Sequence, residues 1–136
     1  MRRLSPKRAG DSLIRRVLVV DDDPFICTTV SMLLALEGFE VHSAADGRAA
    51  LQAAFSHAPD AILSDVNMPQ MDGYALLAAV RASAALAHTR FVLLAVAPDS
   101  APEPHLPAAD NWLPKPLTRE QLLRVLGGPA HAALAR

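Results

Sequence analysis

The chain has one cysteine, Cys27, so no internal disulfide can form and nothing points to an oxidising compartment. Cys27 lies among helix-forming residues, where it reads as ordinary packing, and no chemistry is assigned to it. Aromatic residues are scarce at 4%, and none interleaves with the basic residues near the N-terminus to stack on bases. No apolar run approaches the ~20 residues that a membrane span requires, and the charged N-terminus lacks the apolar stretch of a signal peptide. A cytoplasmic protein with no membrane insertion is expected. Lysine occurs twice, as Lys7 and Lys115. The second is therefore the only lysine outside the N-terminal tail.

Charge is unevenly spread. Residues 1–16 carry Arg2, Arg3, Lys7, Arg8, Arg15 and Arg16 against Asp11, a net +5, which leaves −6 for residues 17–136. Pro6, Gly10 and the weak apolar periodicity make residues 1–15 a disordered basic tail, with no direct nucleic-acid binding expected. The 136 residues suit one domain, spanning 16–127, with no room for a separate output domain and with a flexible tail over 128–136.

The apolar pattern alternates between two kinds of segment. Val17 to Val20 is a run suited to a strand buried on both faces. Asp23 and Pro24 then supply an N-cap and a first helical residue, followed at helical spacing by Ile26, Val30, Leu33 and Leu34 up to Gly38. Glu40 to Ala44 reads as a second strand, and Asp46 caps a helix running to about Phe55. Ala61-Ile62-Leu63-Ser64-Asp65 is a third strand, and Asp72 caps a helix bearing Leu76, Leu77 and Val80. Phe91 to Ala95 is a fourth strand.

Pro98, Pro102, Pro104 and Pro107 then forbid a regular helix, because each interior proline costs roughly 3 kcal/mol. Residues 97–108 are expected to form a flexible loop. A fifth strand at Asn111-Trp112-Leu113 follows, then Lys115, and the capping box Thr118-Arg119-Glu120-Gln121 opens the last helix.

Such alternation implies an α/β fold with a parallel sheet covered on both faces, and ligands in these sheets bind at the carboxyl ends of the strands. Asp21 and Asp22 stand at that edge after the first strand, Asp65 after the third, and Lys115 after the fifth. Three converging carboxylates repel one another unless a cation joins them, and a hard divalent ion such as Mg2+ suits oxygen donors that share a phosphate. A carboxylate nucleophile, a divalent ion and a lysine together describe phosphoryl transfer onto an aspartate.

Val19-Val20-Asp21-Asp22-Asp23-Pro24, Ser64-Asp65-Val66-Asn67-Met68-Pro69-Gln70-Met71-Asp72-Gly73 and Trp112-Leu113-Pro114-Lys115-Pro116 resemble the signature blocks of bacterial response-regulator receiver domains. The resemblance spans about residues 15–127. It implies a doubly wound, flavodoxin-like sheet of strand order 2-1-3-4-5, with the family's fourth helix absent or irregular here. It further implies that Asp65 accepts a phosphoryl group from a sensor histidine kinase or phosphotransfer protein. Asp22, Asp65 and the backbone carbonyl of Asn67 would bind Mg2+ directly, Asp21 through water, and Lys115 would contact the phosphoryl group. The Lys115–Pro116 bond would be cis, as only about one X-Pro bond in twenty is.

Two departures stand out. The family has a Ser or Thr at the end of strand four, where this chain has Ala95, and it uses the region of helix 4 for output. Trp112 occupies the place of the aromatic switch residue, or else plugs the surface where that helix is missing.

Signalling through an unnamed downstream protein is the expected output, by a non-enzymatic domain. The main alternative is a receiver-like interaction module that works without phosphorylation. A more distant one is a haloacid-dehalogenase-like phosphohydrolase with Asp21 as nucleophile and Asp23 as acid/base; the missing cap domain, Phe25 and the unexplained Asp65 block weigh against it. The histidines at 42, 57, 88, 105 and 131 follow no metal-ligand spacing and receive no role. Met68, Met71, Asp46, Asp60 and Asp72 read as packing, caps and turns, and Gln70 is unassigned.

Overall fold

The computed structural model describes residues 14–95 and 109–127. The elements run β1 (Arg16–Val20), α1 (Pro24–Leu36), β2 (Glu40–Ala44), α2 (Gly47–His57), β3 (Ala61–Asp65), α3 (Gly73–Ala82), β4 (Arg90–Ala95), β5 (Asn111–Pro114) and α4 (Arg119–Leu126). The expected loop at 97–108, the fate of the family's fourth helix and the tail at 128–136 lie outside the described residues. Of the expected basic tail, residues 1–13 also lie outside them. Ile14 is buried in the core, however, and the Arg15 and Arg16 amides both donate to Asp60 Oδ2 at 2.9 Å. Ile14 and Arg15 are thus part of the packed unit, and Asp60 anchors them.

All strands pair in parallel in the order β2-β1-β3-β4-β5. This is the doubly wound, flavodoxin-like α/β arrangement, and it follows from burial. Strands β1, β3 and β4 are apolar on both faces because helices cover both. Val17, Val19, Leu63, Val92 and Leu94 pack with Val30 and Leu34 of α1 and Leu122 and Leu126 of α4. Leu18, Val20, Ile62, Phe91 and Leu93 pack on the other face with Ala50 and Ala54 of α2 and Leu76, Leu77 and Val80 of α3. Each fully buried large side chain contributes about 1.5–3 kcal/mol of hydrophobic stabilisation.

The helix starts follow the sequence cues. Asp23, Asp46, Asp72 and Thr118 are N-caps, each accepting a backbone N–H of the first turn, and Thr118 with Gln121 completes the capping box. Helix α2 runs past Phe55 to His57, because Ala58 closes it in the left-handed conformation at φ 48° and no glycine is needed. With the helix starts fixed, the carboxyl ends of β1, β3 and β5 lie along one edge.

Candidate functional site

Asp21 continues β1 by donating its N–H to Ala44 O at 3.2 Å, which carries its side chain into the sheet edge, where only 2% of the residue is exposed. Its Oδ1 accepts the Asp23 N–H at 2.9 Å and so shapes the turn that places Asp22 outward. Asp65 ends β3 and is 9% exposed. Carboxylate oxygens of Asp21, Asp22 and Asp65 lie within 4.8 Å of one another, the sole such potential metal-holding group among the described residues. Lys115 arrives from β5, held by its N–H to Ala95 O at 3.0 Å, and its bond to Pro116 is cis. Its Nζ bridges Asp21 Oδ2 at 2.8 Å and Asp65 Oδ1 at 3.1 Å.

One ammonium bridges two of the three carboxylates, and the titration behaviour reflects this. Burial pushes the Asp65 carboxyl above its ordinary value; Lys115 opposes the shift, while the charges of Asp21 and Asp22 add to it. For Lys115, burial favours the neutral amine, but hydrogen bonds and charge from Asp21 and Asp65 outweigh it and raise its pKa. The lysine is therefore charged at neutral pH, and the site retains an excess of negative charge. Hard oxygen donors, excess negative charge and an exposed Asp22 fit a hydrated divalent cation such as Mg2+. A cleft of about 410 Å³ opens beside it, lined in part by Asp21, Asp22, Thr28 and Ser43.

The structure thus brings Asp21, Asp22, Asp65 and Lys115 together. Asn67 follows Asp65 on the exposed loop. Ala95 is buried at the end of β4, backbone-bonded to Lys115, so the position of the missing hydroxyl borders the site. Trp112 is half-buried against the α2/α3 side of the core, its ring 6.3 Å from that of Tyr74 at an angle of 52°. Met68 and Met71 pack against the same core, in keeping with a loop-packing role. Cys27 Sγ lies 3.9 Å from Val19 O, and burial raises its thiol pKa, so it stays a protonated packing group at neutral pH. Asp23 caps α1 through Phe25 N and stands outside the acidic group, which leaves the dehalogenase-like assignment without its acid/base.

Sequence reasoning missed three features. Gly73 packs so tightly that a Cβ there would lie 2.4 Å from Asp65 O, and its N–H donates to Val66 O at 2.8 Å. Gln70 adopts φ 72°, a left-handed conformation on the loop after Asp65. His42 and His57, fifteen positions apart, stack with ring centroids 3.6 Å apart because β2 and the end of α2 are neighbours. Spacing along the chain could reveal none of the three, although glycine at the first position of a helix hints at close approach.

Gly73→Ala is expected to displace the Asp65 backbone and cost about 2 kcal/mol, within the range for overpacking. Urea denaturation gives the loss. An unchanged midpoint would show that the loop yields freely.

A response regulator receiver domain model matches residues 17–126. Among curated proteins, the response regulator MprA of Mycolicibacterium vanbaalenii is 39% identical over 111 residues, covering 79% of this chain and 47% of that protein. The transcriptional regulatory protein PrrA of Mycobacterium tuberculosis is 49% identical over 67 residues, 49% of this chain and 29% of PrrA. The chain thus spans about half the length of MprA, and its match to PrrA is shorter still. Among solved structures, chemotaxis response regulator CheY4 of Vibrio cholerae superposes with a TM-score of 0.76 at 40% identity, covering 84% of this chain and 97% of CheY4. The receiver domain of sensor histidine kinase PA1611 from Pseudomonas aeruginosa, solved with magnesium in its active-site cleft, gives 0.73 at 28% identity, covering 82% and 93%. With a family match over nearly all the described residues and an acidic edge of this composition, the chain belongs to the response regulator receiver domain family of two-component systems.

Proposed function

We propose that this domain accepts a phosphoryl group on Asp65 from a phosphohistidine of a sensor histidine kinase or phosphotransfer protein, and signals by presenting an altered surface to another protein. The observation that carries this reading is the Lys115 ammonium, which spans Asp21 and Asp65 at the centre of the acidic group. In the transfer, an Asp65 carboxylate oxygen forms the new P–O bond as the P–N bond breaks, and the imidazole leaves with that electron pair. Lys115 lies where it can balance charge on the phosphoryl oxygens. Asp21, Asp22, Asp65 and the Asn67 carbonyl would hold Mg2+, which supplies neutralisation of the carboxylates and phosphoryl oxygens. Asp65 both receives the group and, once modified, is the signal, so no separate substrate is turned over.

No described helix is long and apolar enough to cross a membrane. We place the domain in the cytoplasm, without direct contact to nucleic acid. To test the assignment, the full chain is incubated with acetyl phosphate and Mg2+ and its intact mass is measured. One phosphoryl adduct in the wild type, absent from Asp65→Ala, supports it. No adduct would favour an interaction module that works without phosphorylation, a reading to which Ala95 lends weight.

Ala95→Ser should restore a hydroxyl beside Lys115 with little added volume. A hydrogen bond to a charged group contributes about 1.5–3 kcal/mol, so coupling between the acidic edge and Trp112 is expected to strengthen roughly ten- to a hundredfold. Trp112 fluorescence on addition of the phosphoryl mimic beryllofluoride reads this directly. Equal responses in wild type and variant would show that the hydroxyl has no such role here.

A further inference from the structure

Residues 66–72 join Asp65 to α3, and the loop is exposed at Asn67, Pro69 and Gln70. Its backbone is strained. The Met71 N–H donates back to Pro69 O at 2.8 Å across Gln70, whose φ of 72° gives this γ-turn its rarer and less stable hand. A residue other than glycine persists in such a conformation only where its surroundings over-determine it. Two close contacts do so here. At the end of the loop Gly73 lies against Asp65 O and donates its N–H to Val66 O at 2.8 Å, which ties the two ends together. Just before that end, Met71 lies on Gly47, the first residue of α2. A Cβ at Gly47 would run into the Met71 carbonyl oxygen and stand 2.8 Å from Met71 Cβ and Cγ. Gly38 and Gly127 have positive φ and Gly47 does not, so it is the approach of Met71 that requires a glycine at 47.

We propose that Gly47 is a positioning residue for the metal: through Met71 it holds the loop that carries Asn67, and so sets the affinity of the acidic edge for Mg2+. The proposal rests on the metal set given above, in which the Asn67 carbonyl joins Asp21, Asp22 and Asp65. A methyl group at 47 has to move Met71 by roughly 1 Å to reach an ordinary contact distance. Helix α2 resists that shift. Ala50 and Ala54 are fully buried in the core, and Asp46 caps the helix by accepting the Ala49 N–H at 2.8 Å. The exposed loop yields instead, and because its ends are tied at Asp65 and Gly73, the displacement falls on the residues between them, Asn67 among them. Mg2+ demands near-octahedral geometry with bonds of about 2.0–2.1 Å, so a ligand moved that far is lost to the ion even where the fold survives.

The test is a titration of the full chain with Mn2+, which shares the preference of Mg2+ for carboxylate, carbonyl and water ligands and whose free form is counted by electron paramagnetic resonance. Wild type should bind an ion at Asp21, Asp22 and Asp65. Gly47→Ala should bind it about tenfold more weakly, the lower end of the loss that follows when a residue supporting a metal ligand is changed. Ala49→Gly, which removes an exposed methyl group from the same turn of α2, should bind as wild type does and so separates loop position from helix stability. Met71→Ala releases the loop from its other side and should also weaken binding; if Gly47→Ala does not fold, unchanged affinity in Met71→Ala overturns the proposal. Equal binding by wild type and a folded Gly47→Ala would overturn it, as would an equal loss in Ala49→Gly. A wild type that binds no ion would overturn the metal set together with the role of Gly47.

Discussion

Asp65→Asn is expected to melt about 2–6 °C above wild type at pH 7 in the absence of divalent cations, a shift equivalent to roughly 1 kcal/mol for a domain of this size. The substitution keeps the shape of the side chain while removing one of three converging charges. Lys115 keeps Asp21 at 2.8 Å and can still donate to the amide oxygen. The pH dependence has a definite sign. Burial raises the folded-state value of Asp65 above 3.8, so the carboxyl favours folding when protonated, and that contribution is lost as pH rises through the folded-state value. The advantage of Asn should therefore appear above that value and fade as pH falls below about 3.8. Thermal melts across this range check it. An advantage that grew on acidification would mean that Asp65 is stabilised as the anion, contrary to its surroundings. The same variant should gain no phosphoryl group, so its added stability would come at the expense of function.

Lys115→Met should have the opposite effect on stability. It leaves Asp21, 2% exposed, charged and without its ammonium partner, and the loss of one member of a buried pair costs about 3 kcal/mol. Because interactions with Asp21 and Asp65 raise the lysine above its ordinary 10.5, its stabilising contribution is complete at neutral pH and fades only as pH climbs past that region. Urea denaturation with EDTA present measures the loss. Magnesium should restore more stability to this variant than it adds to wild type, since the metal would then be the only cation facing the three carboxylates. Equal stabilisation of both proteins by magnesium would show that the lysine and the metal do not share those charges.

The sheet was legible because its strands are short apolar runs closed by strong punctuation. Val17 to Val20 ends at three aspartates, and Ala61 to Asp65 is bracketed by prolines. The four N-caps were readable for the same reason, since Asp and Thr side chains reach only the backbone of the turn that follows them. The site was legible because the parallel topology fixes which strand ends meet, and Asp21, Asp65 and Lys115 all stand at such ends. What the chain order hides are contacts between elements. The stacking of His42 on His57 depends on how far α2 extends, and Ala58 allows it two residues more than Phe55 indicated. The pressure of Gly73 on Asp65 depends on a loop whose path is set by packing of Met68 and Met71. The exposure of Phe25, Met32 and Leu36 was not read either, because the helical spacing of Ile26, Val30, Leu33 and Leu34 identifies the buried stripe of α1 and says nothing of its opposite side.

The measurement that bears most directly on Asp65 is borohydride trapping followed by peptide sequencing in the mass spectrometer. The full chain is treated with acetyl phosphate and Mg2+, then with borohydride, which reduces an acyl phosphate to an alcohol and so marks the modified carboxylate permanently. The account predicts a single mark, at Asp65, dependent on Mg2+. A mark at Asp22 or another carboxylate, or none under conditions where Mg2+ binding is confirmed, would contradict it.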